Sequence, residues 1–177
     1  MRADSALIVI DVQREFDDPR FGQRNNPDAE SNIGRLVKAW TGPVVRVRHH
    51  REGSPFAPGR PGYEYKPEVA DLAPALELTK QTHSAFHGAP DLHAWLSANG
   101  IGEVVICGIQ TNRCCETTAR DAADLGYQMI FVLDATYTFD KAGPDGAVLT
   151  ADQLSAATAT SLHDYFGTVV RTDDLLM

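Results

Sequence analysis

The chain is short of the residues that staple or anchor a protein. It has three cysteines, two of them adjacent at Cys114 and Cys115, and these cannot form a sensible disulfide framework. No C-x-x-C spacing occurs, so a structural zinc site is not expected. No stretch approaches the roughly 20 apolar residues of a membrane-spanning helix, and the amino terminus has no signal-peptide core. A reduced, cytoplasmic protein without a membrane partner is therefore expected. Basic residues are also in deficit: 16 Lys and Arg stand against 24 Asp and Glu, a net charge of −8. That balance argues against nucleic acid as a partner, because neutralising phosphates requires a basic face. Internal repeats and low-complexity linkers are absent.

What is there reads as one domain over residues 1–177, large enough to bury a core unaided, with ordinary apolar (43%) and charged (23%) fractions. Apolar runs alternate with helical patterns, the signature of βαβ units around a parallel sheet. Strands are expected near 6–12, 43–48, 76–80, 103–109, 128–134 and 168–171, and helices near 28–40, 90–99, 112–125 and 151–165. Thr150 and Gln153 have the spacing of a capping box for the last helix. Gly100 and Gly126 stand where glycine ends the second and third. Two Gly/Pro-rich connections, 49–67 and 139–148, follow strand ends; such loops are usually functional or disordered. Here they are expected to shape a substrate site or a subunit contact, with Phe56, Tyr63 and Tyr65 as apolar walls.

The segment Gly108 to Ala122, GIQTNRCCETTARDA, follows the apolar run Val104 to Cys107 and opens a helix. With Thr111 or Asn112 as N-cap, Cys114 falls in the first turn, where unpaired N–H groups and the helix dipole favour a thiolate of lowered pKa. Alternatively, Cys114 is a small apolar residue filling the helix–sheet contact. Two further residues weigh against that: Asp11 ends the run ALIVID and Lys80 ends LELTK. In open parallel sheets ligands bind beyond the carboxyl ends of the strands. An acid, a cation and a nucleophile would thus converge from three distant stretches.

DVQREF after the first strand, K-x-x-x-SAF from Lys80, and the Gly108–Ala122 segment together resemble the isochorismatase-like cysteine hydrolases, over nearly the whole chain. The resemblance implies a three-layer α/β/α Rossmann-like fold with a six-stranded parallel sheet ordered 3-2-1-4-5-6. It implies a triad of Asp11, Lys80 and Cys114. Oxyanion donors would be the backbone N–H groups of Cys114 and Gln110, the latter turned inward by a cis Ile109–Gln110 peptide. Cys115 takes the place usually held by valine and so reads as core. Gln13, Phe16, His49 and Phe86 are the candidate substrate contacts. Relatives form homo-oligomers, so a homodimer or dimer of dimers is expected, held partly by residues 50–67 through an exposed aromatic patch.

One departure matters. Nicotinamidases carry an Asp-x-His pair and further histidines after the second strand, which hold a metal. Here the stretch is Arg46-Val47-Arg48-His49-His50-Arg51, with no carboxylate and three arginines to repel a cation. Adjacent histidines at a strand end point opposite ways. No metal and no cofactor are expected, and nicotinamide is a poor candidate substrate. His83, His87, His93 and His163 have no informative spacing, and Asp134 reads as structural. Three functions remain open. One is a metal-independent cysteine amidohydrolase of a small amide, ureido or lactam substrate. Another is isochorismatase-type vinyl-ether hydrolysis, which needs the acid but no thiol. The third is a thiol redox or binding protein, which would not need Asp11 and Lys80 at matching strand ends.

Overall fold

A computed structural model describes residues 4–176. In chain order its elements are β1 (Ser5–Ile10), α1 (Ala29–Ala39), β2 (Val44–His49), α2 (Pro67–Ala70), β3 (Leu76–Lys80), α3 (Leu92–Ala98), β4 (Glu103–Ile109), α4 (Glu116–Asp124), β5 (Gln128–Tyr137), β6 (Lys141–Ala142), β7 (Val148–Leu149), α5 (Ala151–Leu162), β8 (Thr168–Val170) and α6 (Thr172–Leu176). Six strands form one parallel sheet in the order β3-β2-β1-β4-β5-β8, the topology expected, with β8 as the sixth strand.

Strand alternation divides the core into two layers. Ala6, Ile8 and Ile10 of β1 and Val104 and Ile106 of β4 face Leu92 and Leu96 of α3, Ala119 and Ala122 of α4, and Leu162. Leu7, Val9, Val105, Cys107 and Ile109 face Ala29, Ile33 and Leu36 of α1. Both faces of the central strands are covered, which is why they read as unbroken apolar runs. The α1 contacts recur at helical spacing, one apolar stripe on an otherwise polar helix. At α5, Thr150 accepts from the Gln153 N–H at 3.2 Å while Gln153 accepts from the Thr150 N–H at 2.9 Å, the expected capping box. Gly100 (φ +66) and Gly126 (φ +90) follow α3 and α4 in the left-handed region. Cys115 is fully buried in the core, as read. Asp134 is structural: its Oδ1 accepts from the Thr172 N–H and hydroxyl and so caps α6.

Several expectations are corrected. The helix expected over 112–125 is a π turn, Thr111–Cys115, running into α4. The last long helix stops at Leu162, whose carbonyl receives the N–H groups of Phe166 and Gly167 in a tight reversal. The 49–67 connection packs into its own chain. Tyr65 is buried beneath the guanidiniums of Arg46 and Arg48, 4.3 and 4.0 Å from its ring, and Arg48 also covers Tyr63 at 4.5 Å. Phe56 packs on Phe16 and His49. The exposed aromatic patch expected to need a neighbouring subunit is thus not formed by these residues, because arginines of the same chain cover Tyr63 and Tyr65 and Phe56 packs on Phe16 and His49. Among the described residues no helix is long and apolar enough to cross a membrane.

Candidate active site

The floor of the site forms where β1, β3 and β4 end together. Gly108 (φ +131) makes this possible: a Cβ there would lie 2.1 Å from the Ile10 carbonyl oxygen, so only glycine lets β4 approach β1 this closely. Asp11 then leaves β1 in the left-handed conformation (φ +52), which Asp tolerates better than most residues. Lys80 closes β3, and its Nζ donates to Asp11 Oδ2 at 2.6 Å and to the Thr82 carbonyl at 3.2 Å. Both charged side chains are 0% exposed. Asp11 Oδ1 is buried and has no hydrogen bond. Burial opposes the Lys80 ammonium, but Asp11, and beyond it Cys114, outweigh that and raise its pKa.

Cys114 sits on the π turn that follows the cis Ile109–Gln110 peptide, present as expected. The Gln110 carbonyl accepts from the N–H groups of Arg113 and Cys115, both at 3.2 Å. Such turns concentrate at functional positions. The expected N-cap is corrected. Gln110 begins the turn without a side-chain cap, because Thr111 bonds Thr136 at 2.9 Å and Asn112 accepts from Thr138 at 2.6 Å. Thr118 fixes the turn from behind: its hydroxyl donates to the Cys114 carbonyl at 2.7 Å and accepts from the Ala85 N–H at 3.0 Å. The lowered thiol pKa is corrected as well. Burial, then the Asp11 carboxylate, push the Cys114 thiol up to about 12, and the opposing pull of Lys80 does not prevail. A helix start favours a thiolate only if desolvation does not cost more.

Above this floor lies a cavity of about 440 Å³, onto which Asp11, Gln110 and Cys114 open. One wall is aromatic: Phe16 lies 5.3 Å from Phe21 and 5.4 Å from Phe56, ring centre to ring centre. His49 and His83 also line it, with Arg20, Arg51 and Arg113 among its lining residues. The His49 Nδ1 is buried without a partner. Burial lowers the His49 pKa, helped by Lys80, His83 and Arg51 and opposed by Asp11, so the ring is neutral at pH 7. His50 turns away to Glu52 at 2.9 Å, the opposite orientation expected of its neighbour.

Of the expected substrate contacts, Phe16 and His49 line the cavity and two others do not. Gln13 is fully buried; its amide nitrogen donates to the carbonyls of His49 and Tyr63, both at 3.1 Å, and its oxygen accepts from the His49 N–H at 2.8 Å. With those groups engaged, it clasps the loop to the end of β1. Phe86 stacks on Tyr127, centroids 5.8 Å apart, against the core layer of α3 and α4. Tyr63 and Tyr65 are likewise not cavity walls. Arg46 and Arg48 pair with Glu77, so of the three arginines expected to repel a cation only Arg51 lines the cavity. Among the described residues no three His, Cys, Asp or Glu side chains are grouped to hold a metal. The sequence reading missed Arg20, Phe21, Ser54, Pro55 and Arg113; of these, Arg113 was visible as a cation next to Cys114 in the same turn.

Sequence comparison decides the family: the Isochorismatase domain matches residues 5–164. This chain belongs to the isochorismatase family. It is 34% identical to the uncharacterized isochorismatase family protein YrdC of Bacillus subtilis, over 99% of this chain and 96% of that protein. Nicotinamidase 3 of Arabidopsis thaliana is 30% identical over 97% of this chain and 76% of its own. A crystal structure of an isochorismatase-family hydrolase from Chromobacterium violaceum superposes with a TM-score of 0.93 at 35% identity, covering 99% of this chain and 93% of that one. The isochorismatase-like family to which this chain belongs consists of hydrolases and includes amidohydrolases.

Proposed function

We propose that this isochorismatase-family protein is a metal-independent cysteine amidohydrolase that cleaves a C–N bond of a small amide, ureido or lactam substrate. One observation carries the reading: a fully buried Asp11–Lys80 pair, with one Asp11 oxygen left over from that bond, lies beside Cys114 at the floor of a cavity. Because the thiol is held up to about 12, the nucleophile needs a base at the moment of attack. Asp11 takes the thiol proton as sulfur bonds to the substrate carbonyl carbon, and the N–H groups of Gln110 and Cys114 receive the developing oxyanion. Collapse breaks the C–N bond, and Asp11 returns the proton to the departing nitrogen. Water then adds to the thioester with Asp11 again as base, releasing the acid and restoring the thiol. The Lys80 ammonium balances the negative charge wherever it resides among Asp11, sulfur and the tetrahedral oxygen.

The donor set does not suit a metal: Asp11 is committed to Lys80, and the cavity histidines have no other carboxylate beside them. Vinyl-ether hydrolysis needs no thiol, so Cys114 at the floor favours amide cleavage. A reducing compartment such as the cytoplasm suits a mechanism that requires the free thiol. The test is a hydrolysis screen over amides, ureido acids, lactams and isochorismate, with metal analysis and chelation. Cleavage of a C–N bond by wild type, reduced roughly a thousandfold or more in Cys114→Ala and Cys114→Ser, is the expected result. Turnover of isochorismate alone, undiminished in Cys114→Ala, would refute it, as would activity lost with a stoichiometric metal.

A further inference from the structure

The bonds around Thr118 make a second connection between the segment that carries Lys80 and the turn that carries Cys114. Thr118 lies in α4 and is fully buried. A threonine inside a helix often returns its hydroxyl proton to the carbonyl four residues back, and Thr118 does so, to Cys114 at 2.7 Å. That bond alone would be a local helix contact. The same oxygen, however, accepts the N–H of Ala85 at 3.0 Å, from a residue 33 positions away. A hydroxyl has a single proton to give, and with that proton on Cys114 its part toward Ala85 is fixed as acceptor. Ala85 is fully buried as well, so the bridge is sealed from solvent.

Ala85 belongs to an excursion of the chain that starts beside Lys80. Thr79 and Ala89 exchange both of their N–H bonds at 2.9 Å and pinch its base. Inside it, the Lys80 ammonium donates to the Thr82 carbonyl at 3.2 Å, and the Thr82 hydroxyl donates to the Ser84 carbonyl at 3.1 Å. From Lys80 the bonds thus run through Thr82, Ser84 and Ala85 to Thr118, and so to Cys114. At that far end the backbone ladder is irregular: the Cys115 N–H reaches past the usual acceptor to Gln110, five residues back. Thr111 and Asn112 brace the start of this turn through Thr136 and Thr138, and Thr118 braces Cys114 itself. We infer that Thr118 is a positioning residue that locks the Cys114 backbone to the segment following Lys80, so that the sulfur keeps a fixed place beside the Asp11–Lys80 pair. This rests on the reading of Cys114 as nucleophile. Thr118 makes and breaks no bond of the substrate. It acts on the rate through Cys114, because a misplacement of about 1 Å in a reacting group can cost on the order of a hundredfold. Its removal therefore lowers kcat and leaves KM as the cavity walls set it.

The test follows acylation by p-nitrophenyl acetate, an activated ester whose acetyl group passes to sulfur as p-nitrophenolate leaves, with Cys114→Ala as background. Thr118→Val keeps the shape of the side chain and deletes the hydroxyl. It is expected to acylate roughly 10- to 100-fold more slowly at saturating ester, with the half-saturating concentration unchanged. Thr118→Ser can make both bonds again and should return to within about threefold of wild type. Thr82→Val breaks the same chain of bonds at its other end, at an exposed position that spares the fold. It should slow acylation about threefold, and add nothing in the Thr118→Val background, because links in series fail together. Thr118→Val as fast as wild type, Thr118→Ser as slow as Thr118→Val, a loss that lies in the half-saturating concentration, or additive effects of the two sites each overturn the inference. If Thr118→Val does not fold, Thr82→Val decides, and a wild-type rate there overturns it. Background-level acylation of wild type itself, with no amide cleaved in the hydrolysis screen, would instead sink the nucleophile reading beneath it.

Discussion

Lys80 is the residue whose removal should reveal most about the site. Its ammonium and the Asp11 carboxylate are wholly out of water, and each is the other's compensation. Lys80→Met leaves a buried, unpaired carboxylate, and breaking such a pair costs about 3–5 kcal/mol. Denaturant unfolding is expected to show that loss, with Lys80→Met/Asp11→Leu recovering most of it although neither variant turns over substrate. Equal instability in the double variant would mean that the pair contributes through packing and not through charge. The identities of these residues were readable because a polar side chain closing an apolar run is conspicuous. The ionisation of Cys114 was not. A helix start raises the expectation of a thiolate, but burial and the carboxylate at the end of β1, far away in sequence, reverse its sign against the pull of Lys80. Gln13 and Phe86 misled for a related reason: nearness to a motif says nothing of which partner a side chain finds.

At the scale of elements, the sheet and the longer helices were evident from apolar runs, a capping box and terminal glycines, since these are local signals. The four residues of α2 and five of α6 are too few to display a period. The π turn has no residue signature, because its bonds are made by backbone groups. The 49–67 connection was recognisable as irregular, yet its order depends on Gln13, which reaches across 36 residues to His49 and 50 to Tyr63. Gln13→Ala would leave the His49 N–H and two carbonyls without their partner, a cost on the order of 3 kcal/mol. The expected outcome is faster hydrogen exchange and proteolytic cutting within 50–66, with KM raised more than kcat. Unchanged exchange in that segment would assign its order to the arginine–tyrosine stacking alone.

Over the whole molecule, stability should have two titrating edges. Burial alone would raise the Glu30 pKa, but hydrogen bonds from Arg24 and Lys66 hold it at about 2 against an ordinary 4.5. A depressed carboxylate stabilises the fold above its unfolded pKa and ceases to do so as pH falls through the folded one. Roughly 3 kcal/mol is therefore expected to disappear between pH 4.5 and 2, and Glu30→Gln should flatten that limb of a thermal-melt profile. At the other edge, burial raises all three thiols, Cys114 to about 12. The unfolded chain releases those protons first, so stability falls as pH climbs above about 9, and Cys115→Val should soften the decline. Between these limits the molecule combines a floor built from strand ends with a rim to which one loop contributes Arg51, Ser54, Pro55 and Phe56. That loop begins at His49, returns to the sheet side at Lys66 through a bond from its N–H to the Val12 carbonyl, and is fastened meanwhile by the Gln13 clasp and by rings stacked under Arg46 and Arg48. Its bonds to the rest of the chain gather at its two ends, around His49 and His50 and from Tyr63 to Lys66, so the stretch between them is an exchangeable cassette. Residues 50–65 of a relative, grafted with Gln13, Arg14, Arg46 and Arg48 retained, would carry a new ligand preference onto an unaltered floor, a route by which one hydrolase lineage diversifies its substrates without rebuilding its strand ends.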